Sequence, residues 1–150
     1  MALMDSLSIR QAVIGDADNI ALLEAEEFLD EALNCDNVKK AIEDSQVCIY
    51  IAELDGEFAG YSIIHFAADE GELSTIAVKK EYRGRKIGQF LLEKAICGDN
   101  LIKNLFLEVR ESNLSAQKLY RRMGFVEVGR RKSFYKNPME DALLMALQVE

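Results

Sequence analysis

The segment best suited to chemistry is Arg83-Gly84-Arg85-Lys86-Ile87-Gly88, between an apolar run ending at Val78 and a helical pattern beginning at Ile87. Backbone N–H groups at a helix start have no partner inside the helix, and the helix dipole favours an anion there. Glycines let a ligand approach the backbone closely, and Arg83, Arg85 and Lys86 supply positive charge. Such a segment can cradle a pyrophosphate. It lacks the Gly-Lys-Ser/Thr of a Walker A loop and the G-x-G-x-x-G of a dinucleotide fold. Taken alone, it fits a basic surface turn ahead of a helix equally well.

Charge sharpens the choice. The net charge is −8, but residues 1–78 carry 17 acids and 3 bases, while residues 79–150 carry 9 acids and 15 bases. Much of this is solvated surface. The basic half is nonetheless the half that would receive an anion, and the acidic half suits a cation. Nucleic acid is disfavoured, because the acidic half would repel its phosphates. A phosphate-bearing small ligand fits better.

The elements that must position these residues can be read from periodicity. Leu7–Val13, Val47–Leu54, Phe58–Ala68 and Glu72–Val78 read as strands, with Asp55-Gly56 as a hairpin turn. Asp16 can cap a helix to Phe28, and Asp36 one to Ser45. In the first of these helices Leu23 is followed by Glu24, which narrows the apolar face. Ile87–Cys97 presents Ile87, Leu91 and Ala95 on one face and stops at Gly98. Asn104–Val109 follows as a strand, so strand, helix and strand form a parallel crossover. A helix at Ser115–Met123 ends at Gly124, and Phe125–Arg131 and Asp141–Leu147 close the sheet.

At 150 residues one domain spanning 1–150 is expected, able to bury roughly 68–70% of its unfolded surface. Met1–Asp5 carries no signal-peptide pattern, and no apolar run approaches the roughly 20 residues of a membrane span, so a cytoplasmic protein is expected. Cys35, Cys48 and Cys97 show no paired spacing and read as reduced structural thiols. With His65 the only histidine, in an apolar strand where it reads as packed or hydrogen-bonded rather than catalytic, no metal site is expected.

Glu72 to Val78, followed by Tyr82-Arg83-Gly84-Arg85-Lys86-Ile87-Gly88, resembles the acetyl-CoA-binding motif of the GNAT superfamily of N-acetyltransferases, whose core is Gln/Arg-x-x-Gly-x-Gly/Ala. Leu107-Glu108-Val109-Arg110-Glu111-Ser112-Asn113, Leu119-Tyr120, Met123-Gly124-Phe125 and Glu140-Asp141-Ala142 are similar to its ribosomal-protein-alanine (RimI-type) branch. The resemblance implies an α/β (α+β) GNAT fold. Its sheet would be mixed, mostly antiparallel and six- to seven-stranded, with helices on both faces and a central parallel β-α-β unit for the cofactor. It implies acetyl-CoA as cosubstrate, with Ile76, Ala77 and Val78 pairing the pantetheine arm as a strand would. The Val78 N–H would polarise the thioester carbonyl. Arg83, Gly84, Arg85, Lys86, Ile87, Gly88 and Gln89 would wrap the pyrophosphate. Asn113 would hydrogen-bond the cofactor, or cap the helix at Ser115, or both. Lys86 stands where the motif has its first glycine; ordinary helical angles are expected there, since a position needing φ > 0 would weaken cofactor binding.

Acetyl transfer to an amine needs a base, because only the neutral amine attacks and α-amino groups titrate near 8. Glu108 is the candidate. Leu105, Leu107 and Val109 alternate with it along the strand, so it projects to the opposite face, where the sheet partly desolvates it. Tyr120 shares a helical face with Ala116 and Met123 and by spacing alone reads as core. The resemblance makes it the acid that protonates the departing thiolate. It also implies that Phe134-Tyr135, in the loop between the last strands, lies near the acceptor. The acceptor implied is a protein N-terminus, of an alanine-initiated small-subunit ribosomal protein. Relatives carry a Pro-Trp element after the first helix, where this chain reads Phe28-Leu29-Asp30-Glu31-Ala32-Leu33 and has no tryptophan. A polyamine or aminoglycoside acetyltransferase and a non-catalytic acyl-CoA-binding module remain the alternatives.

Overall fold

Alternation and helical periodicity produce seven strands and four helices in the computed structural model, which describes residues 6–98 and 101–149. Met1–Asp5 lies outside the described residues. The strands are β1 (Leu7–Gln11), β2 (Val47–Leu54), β3 (Glu57–Ala67), β4 (Glu70–Val78), β5 (Asn104–Arg110), β6 (Val126–Tyr135) and β7 (Glu140–Gln148). The helices are α1 (Ala17–Phe28), α2 (Cys35–Glu43), α3 (Ile87–Ile96) and α4 (Leu114–Arg122). They form one sheet in the order β1-β2-β3-β4-β5-β7-β6. Every neighbouring pair is antiparallel except β4 and β5, which are parallel and joined through α3. This is the expected GNAT architecture.

Each face of the sheet has its own core. On one face Leu91, Leu92 and Ala95 of α3 and Tyr120 of α4 pack on Tyr50, Ile64, Leu105 and Leu107. On the other, Ile20 and Leu23 of α1 and Val38 of α2 pack on Ile49, Ile51, Tyr61 and Ile63. Each such aliphatic side chain contributes about 1.5–3 kcal/mol when fully buried. No helix among the described residues is long and apolar enough to cross a membrane.

Local chemistry moved several expected boundaries. Asn34, not Asp36, caps α2, because its side chain accepts from the Asn37 N–H at 2.8 Å. Asp16 precedes α1 but caps nothing there; its carboxylate turns back to Arg10, at 2.7 and 2.8 Å, and to the Val13 N–H. Strand β6 continues to Tyr135 rather than ending at Arg131, passing irregular register and a left-handed Ser133. Tyr135 is therefore a strand residue, opposite Glu140. Glu24 does not narrow the apolar face of α1: it is buried there. His65 is exposed rather than packed. Cys48 is buried as expected, whereas Cys97 is exposed.

Candidate active site

Strands β4 and β5 pair only from Glu70–Leu73 to Asn104–Leu107. Beyond these residues β4 keeps its bonds to β3 through Val78, and β5 keeps its bonds to β7 through Arg110. The facing edges of Ile76–Val78 and Val109–Arg110 thus have no strand between them. A side chain at Gly60 could not coexist with this geometry, since its Cβ would sit 2.5 Å from the Ala77 carbonyl oxygen. The gap opens into a cleft of about 780 Å³, within the usual range for a ligand site.

The cleft gathers nearly all the residues read from the sequence. Ile76, Ala77, Val78, Arg83, Gly84, Lys86, Ile87, Gly88, Gln89, Asn113 and Tyr120 line it. The N–H groups of Ile87, Gly88 and Gln89 fall in the first turn of α3, where no intrahelical acceptor exists. Arg85 is not in the lining; its guanidinium lies 6.0 Å from the Tyr82 ring centroid. Arg83 is partly committed already. It pairs with Glu27 of α1, and its Nε donates to the Val78 carbonyl at 3.1 Å. Lys118 and Arg122 of α4 also line the cleft. Their i, i+4 spacing was the available signal for these two cations.

Lys86 departs from expectation. Its φ of 64° and ψ of 18° are left-handed, not helical. Two left-handed residues, Gly84 (φ 81°) and Lys86, together turn the chain into α3. Left-handed angles cost a non-glycine residue roughly 1–2 kcal/mol, and glycine returns about 0.5–1 kcal/mol of that through its freedom when unfolded. Lys86→Gly should therefore stabilise the fold by about 0.5–1 kcal/mol, seen as a higher denaturant midpoint. A lower midpoint would mean that contacts of the lysine side chain outweigh the strain.

Asn113 caps α4, its Oδ1 accepting from the Ala116 N–H at 3.2 Å, while also lining the cleft. Both readings of this residue therefore coexist geometrically. Tyr120 is buried with its ring 5.8 Å from that of Phe125. Burial, with a smaller contribution from Tyr135, pushes its hydroxyl up to about 12.

Glu108 lies on the opposite side of β5, as alternation requires. It lines a second cavity of about 430 Å³ with Glu70, Glu72, Phe106, Arg131 and Leu144. Arg131 Nε stands 3.3 Å from Glu108 Oε1, while more than half of the Arg131 side chain stays exposed to solvent. The other oxygen, Oε2, is buried and has no protein partner. Tyr135 lines neither cavity. Burial first and Glu108 second push its hydroxyl up to about 12, and it in turn raises Tyr120. Arg110 lies 4.2 Å from the Tyr135 ring centroid and reaches Glu140 at 3.2 Å and Glu31 at 3.4 Å. Sequence reading gave Arg110 no role. Only the pairing of β5 with β7 and the length of β6 bring Arg110 and Tyr135 together. Among the described residues no group of three or more His, Cys, Asp or Glu is placed to hold a metal.

Residues 16–125 match the acetyltransferase (GNAT) family. A Bacillus subtilis (strain 168) protein, provisionally named ribosomal protein bS18-alanine N-acetyltransferase, is 34% identical over 140 residues, 92% of this chain and 93% of that one. The Escherichia coli (strain K12) ribosomal protein bS18-alanine N-acetyltransferase is 39% identical over 101 residues, 63% of this chain and 67% of its own length. The crystal structure of the ribosomal-protein-S18-alanine N-acetyltransferase from Escherichia coli superposes with a TM-score of 0.86 at 27% identity, covering 97% of this chain and 95% of that one. Arabidopsis thaliana NAA60, solved in complex with acetyl-CoA, shares the fold at 18% identity and a TM-score of 0.81, covering 96% of this chain and 99% of that one.

Proposed function

The chain belongs to the GNAT acetyltransferase family and is an acetyl-CoA-dependent N-acetyltransferase; from that premise we propose that its acceptor is the N-terminal α-amino group of a protein, an alanine-initiated small-subunit ribosomal protein. The observation that carries this reading is the buried, unpartnered Oε2 of Glu108 on the opposite side of β5 from the cleft, beside the gap where β4 and β5 part. The names of the two bacterial relatives supply the choice of acceptor.

The cleft fits the cofactor. The free edge of Ile76–Val78 suits the amides of a pantetheine arm, and the first turn of α3 with Lys86, Lys118 and Arg122 suits phosphates. Bound there, acetyl-CoA supplies an acetyl group on a thioester that a neutral amine can attack. Glu108 Oε2 takes the proton of the incoming ammonium, while Arg131 holds Oε1. Tyr120 Oη keeps a proton for the leaving sulfur. Asn113 fixes the start of α4 and hence the position of Tyr120. Arg110 lines the cleft, stacks on Tyr135 and is linked to Glu31 and Glu140, which ties the cleft to the α1–α2 segment. Holding two reactants together supplies roughly 7–11 kcal/mol of the barrier, so no covalent enzyme intermediate is required.

Thiol release from acetyl-CoA, measured with an alanine-initiated ribosomal-protein peptide beside a polyamine and aminoglycoside panel, tests the acceptor. Turnover should require the free peptide N-terminus and vanish with an N-acetylated peptide. Turnover confined to polyamines or aminoglycosides would replace the acceptor while leaving the reaction intact.

A further inference from the structure

Glu24 of α1 is 2% exposed and Tyr61 of β3 is 0% exposed, and the phenol donates to the Glu24 Oε2 in the core beneath α1. A carboxylate is rarely buried among Ile20, Leu23, Ile51 and Ile63 without a specific use, because its desolvation must be offset by hydrogen bonds. The use is visible at the other oxygen. Glu24 Oε1 accepts from the Leu33 N–H at 2.9 Å, nine residues along the chain. Leu33 belongs to the segment that joins α1 to α2, which turns sharply at Leu29 (φ 48°) and contains a short 3-10 turn at Leu29–Glu31. That segment reaches across to the β6–β7 hairpin and the site wall: Asp30 accepts from Asn137 at 3.1 Å, and Glu31 meets Arg110 at 3.4 Å. Both outer contacts are exposed and therefore weak. The buried contact at Glu24 is the strong one.

Tyr61 adds a second link. It pairs directly with Ala77 in the β3–β4 ladder, and Ala77 lines the cofactor cleft. One buried hydrogen-bonded chain thus runs from β4, through Tyr61 and Glu24, to the backbone of the α1–α2 segment. We propose that Glu24 and Tyr61 are positioning residues for the acceptor: they hold residues 29–34 in place beside Arg110, on the β5 edge of the gap, without touching either reactant. The inference rests on the reading that the acceptor amine enters beside this segment. It predicts that loosening the pair weakens acceptor binding and spares the chemistry.

Steady-state kinetics with Glu24→Gln, Glu24→Leu, Tyr61→Phe and the double variant Glu24→Leu/Tyr61→Phe decide this, using whichever amine the wild type turns over. Glu24→Gln keeps an acceptor oxygen for Leu33 and should behave as wild type. Glu24→Leu should raise the acceptor KM about tenfold or more, the effect of a buried hydrogen bond to a charged group. The acetyl-CoA KM and kcat should stay within about twofold. The double variant removes both polar partners from the core, so its melting temperature should recover towards wild type while the acceptor KM stays high. A KM that recovers with stability, or an acetyl-CoA KM that rises equally, would mean the pair serves only the core. Hydrogen exchange at the Leu33 amide requires neither turnover nor the leucine variants. It should be slow in the wild type and at least tenfold faster in Tyr61→Phe, and unchanged exchange would overturn the proposal. Because the acceptor is chosen by turnover, a polyamine replacing the peptide would defeat the acceptor assignment and leave this test standing.

Discussion

Glu108→Gln is expected to lower kcat/KM by about 10²–10⁴-fold, the contribution typical of a positioned acid–base group. The variant keeps the shape of the side chain and an oxygen that Arg131 can hold, so the loss would measure proton uptake rather than folding. Two results should accompany it. The limb of the pH–rate profile that reports the base should disappear, and the acetyl-CoA KM should hardly move, because Glu108 faces the second cavity and not the cleft proposed for the cofactor. Residual turnover is also expected, since positioning supplies roughly 7–11 kcal/mol and a base only about 3–5 kcal/mol. A profile that keeps the same limb in the variant would remove Glu108 from the base role. The orphan oxygen would then be a site for the amine itself.

Tyr120→Phe is expected to lower kcat by about 10²–10³-fold, with the acetyl-CoA KM changed by no more than about threefold. Its hydroxyl, raised to about 12, stays protonated throughout the neutral range, so a proton is always present for the sulfur. A cysteine-like thiol titrates near 8.5, however, well below 12. Complete transfer to a free thiolate would run uphill by several kcal/mol. In the proposed mechanism the phenol would therefore act mainly as a hydrogen-bond donor to charge developing on sulfur, in a buried site where such a donor has most effect. That places the expected loss in the range of a missing oxyanion donor rather than of a full general acid. Wild-type turnover should accordingly show no decline from loss of this proton until pH approaches 12. Turnover in the phenylalanine variant equal to wild type would return Tyr120 to the core, where its packing on Phe125 already gives it a structural use.

The side of β5 that carries Glu108, where helices begin and end within a turn or two, and the basic, glycine-containing loop that precedes α3 were legible in the residues. The reason is local: period-two and period-3.6 burial patterns and turn residues act over a few positions. The strand ending at Val78, the turn into α3 and the side of β5 that carries Glu108 followed from that alone, with the motif resemblance supplying the roles of Ile76–Val78 and the reaction. Other features were decided only when distant strands met. The left-handed angles of Lys86 depend on how the loop after β4 must enter α3, which no propensity reports for a lysine. Arg131 meets Glu108, and Arg110 stacks on Tyr135, because β5, β7 and β6 lie side by side in an order unlike the chain's. Glu24 looked like a break in an apolar face. It is accommodated by Tyr61, 37 residues away, through a hydrogen bond that exists only once α1 packs on β3. Elements follow from neighbours in sequence, whereas the charges and protons of the site follow from neighbours in space, because a buried carboxylate or phenol takes its character from whatever the fold sets beside it.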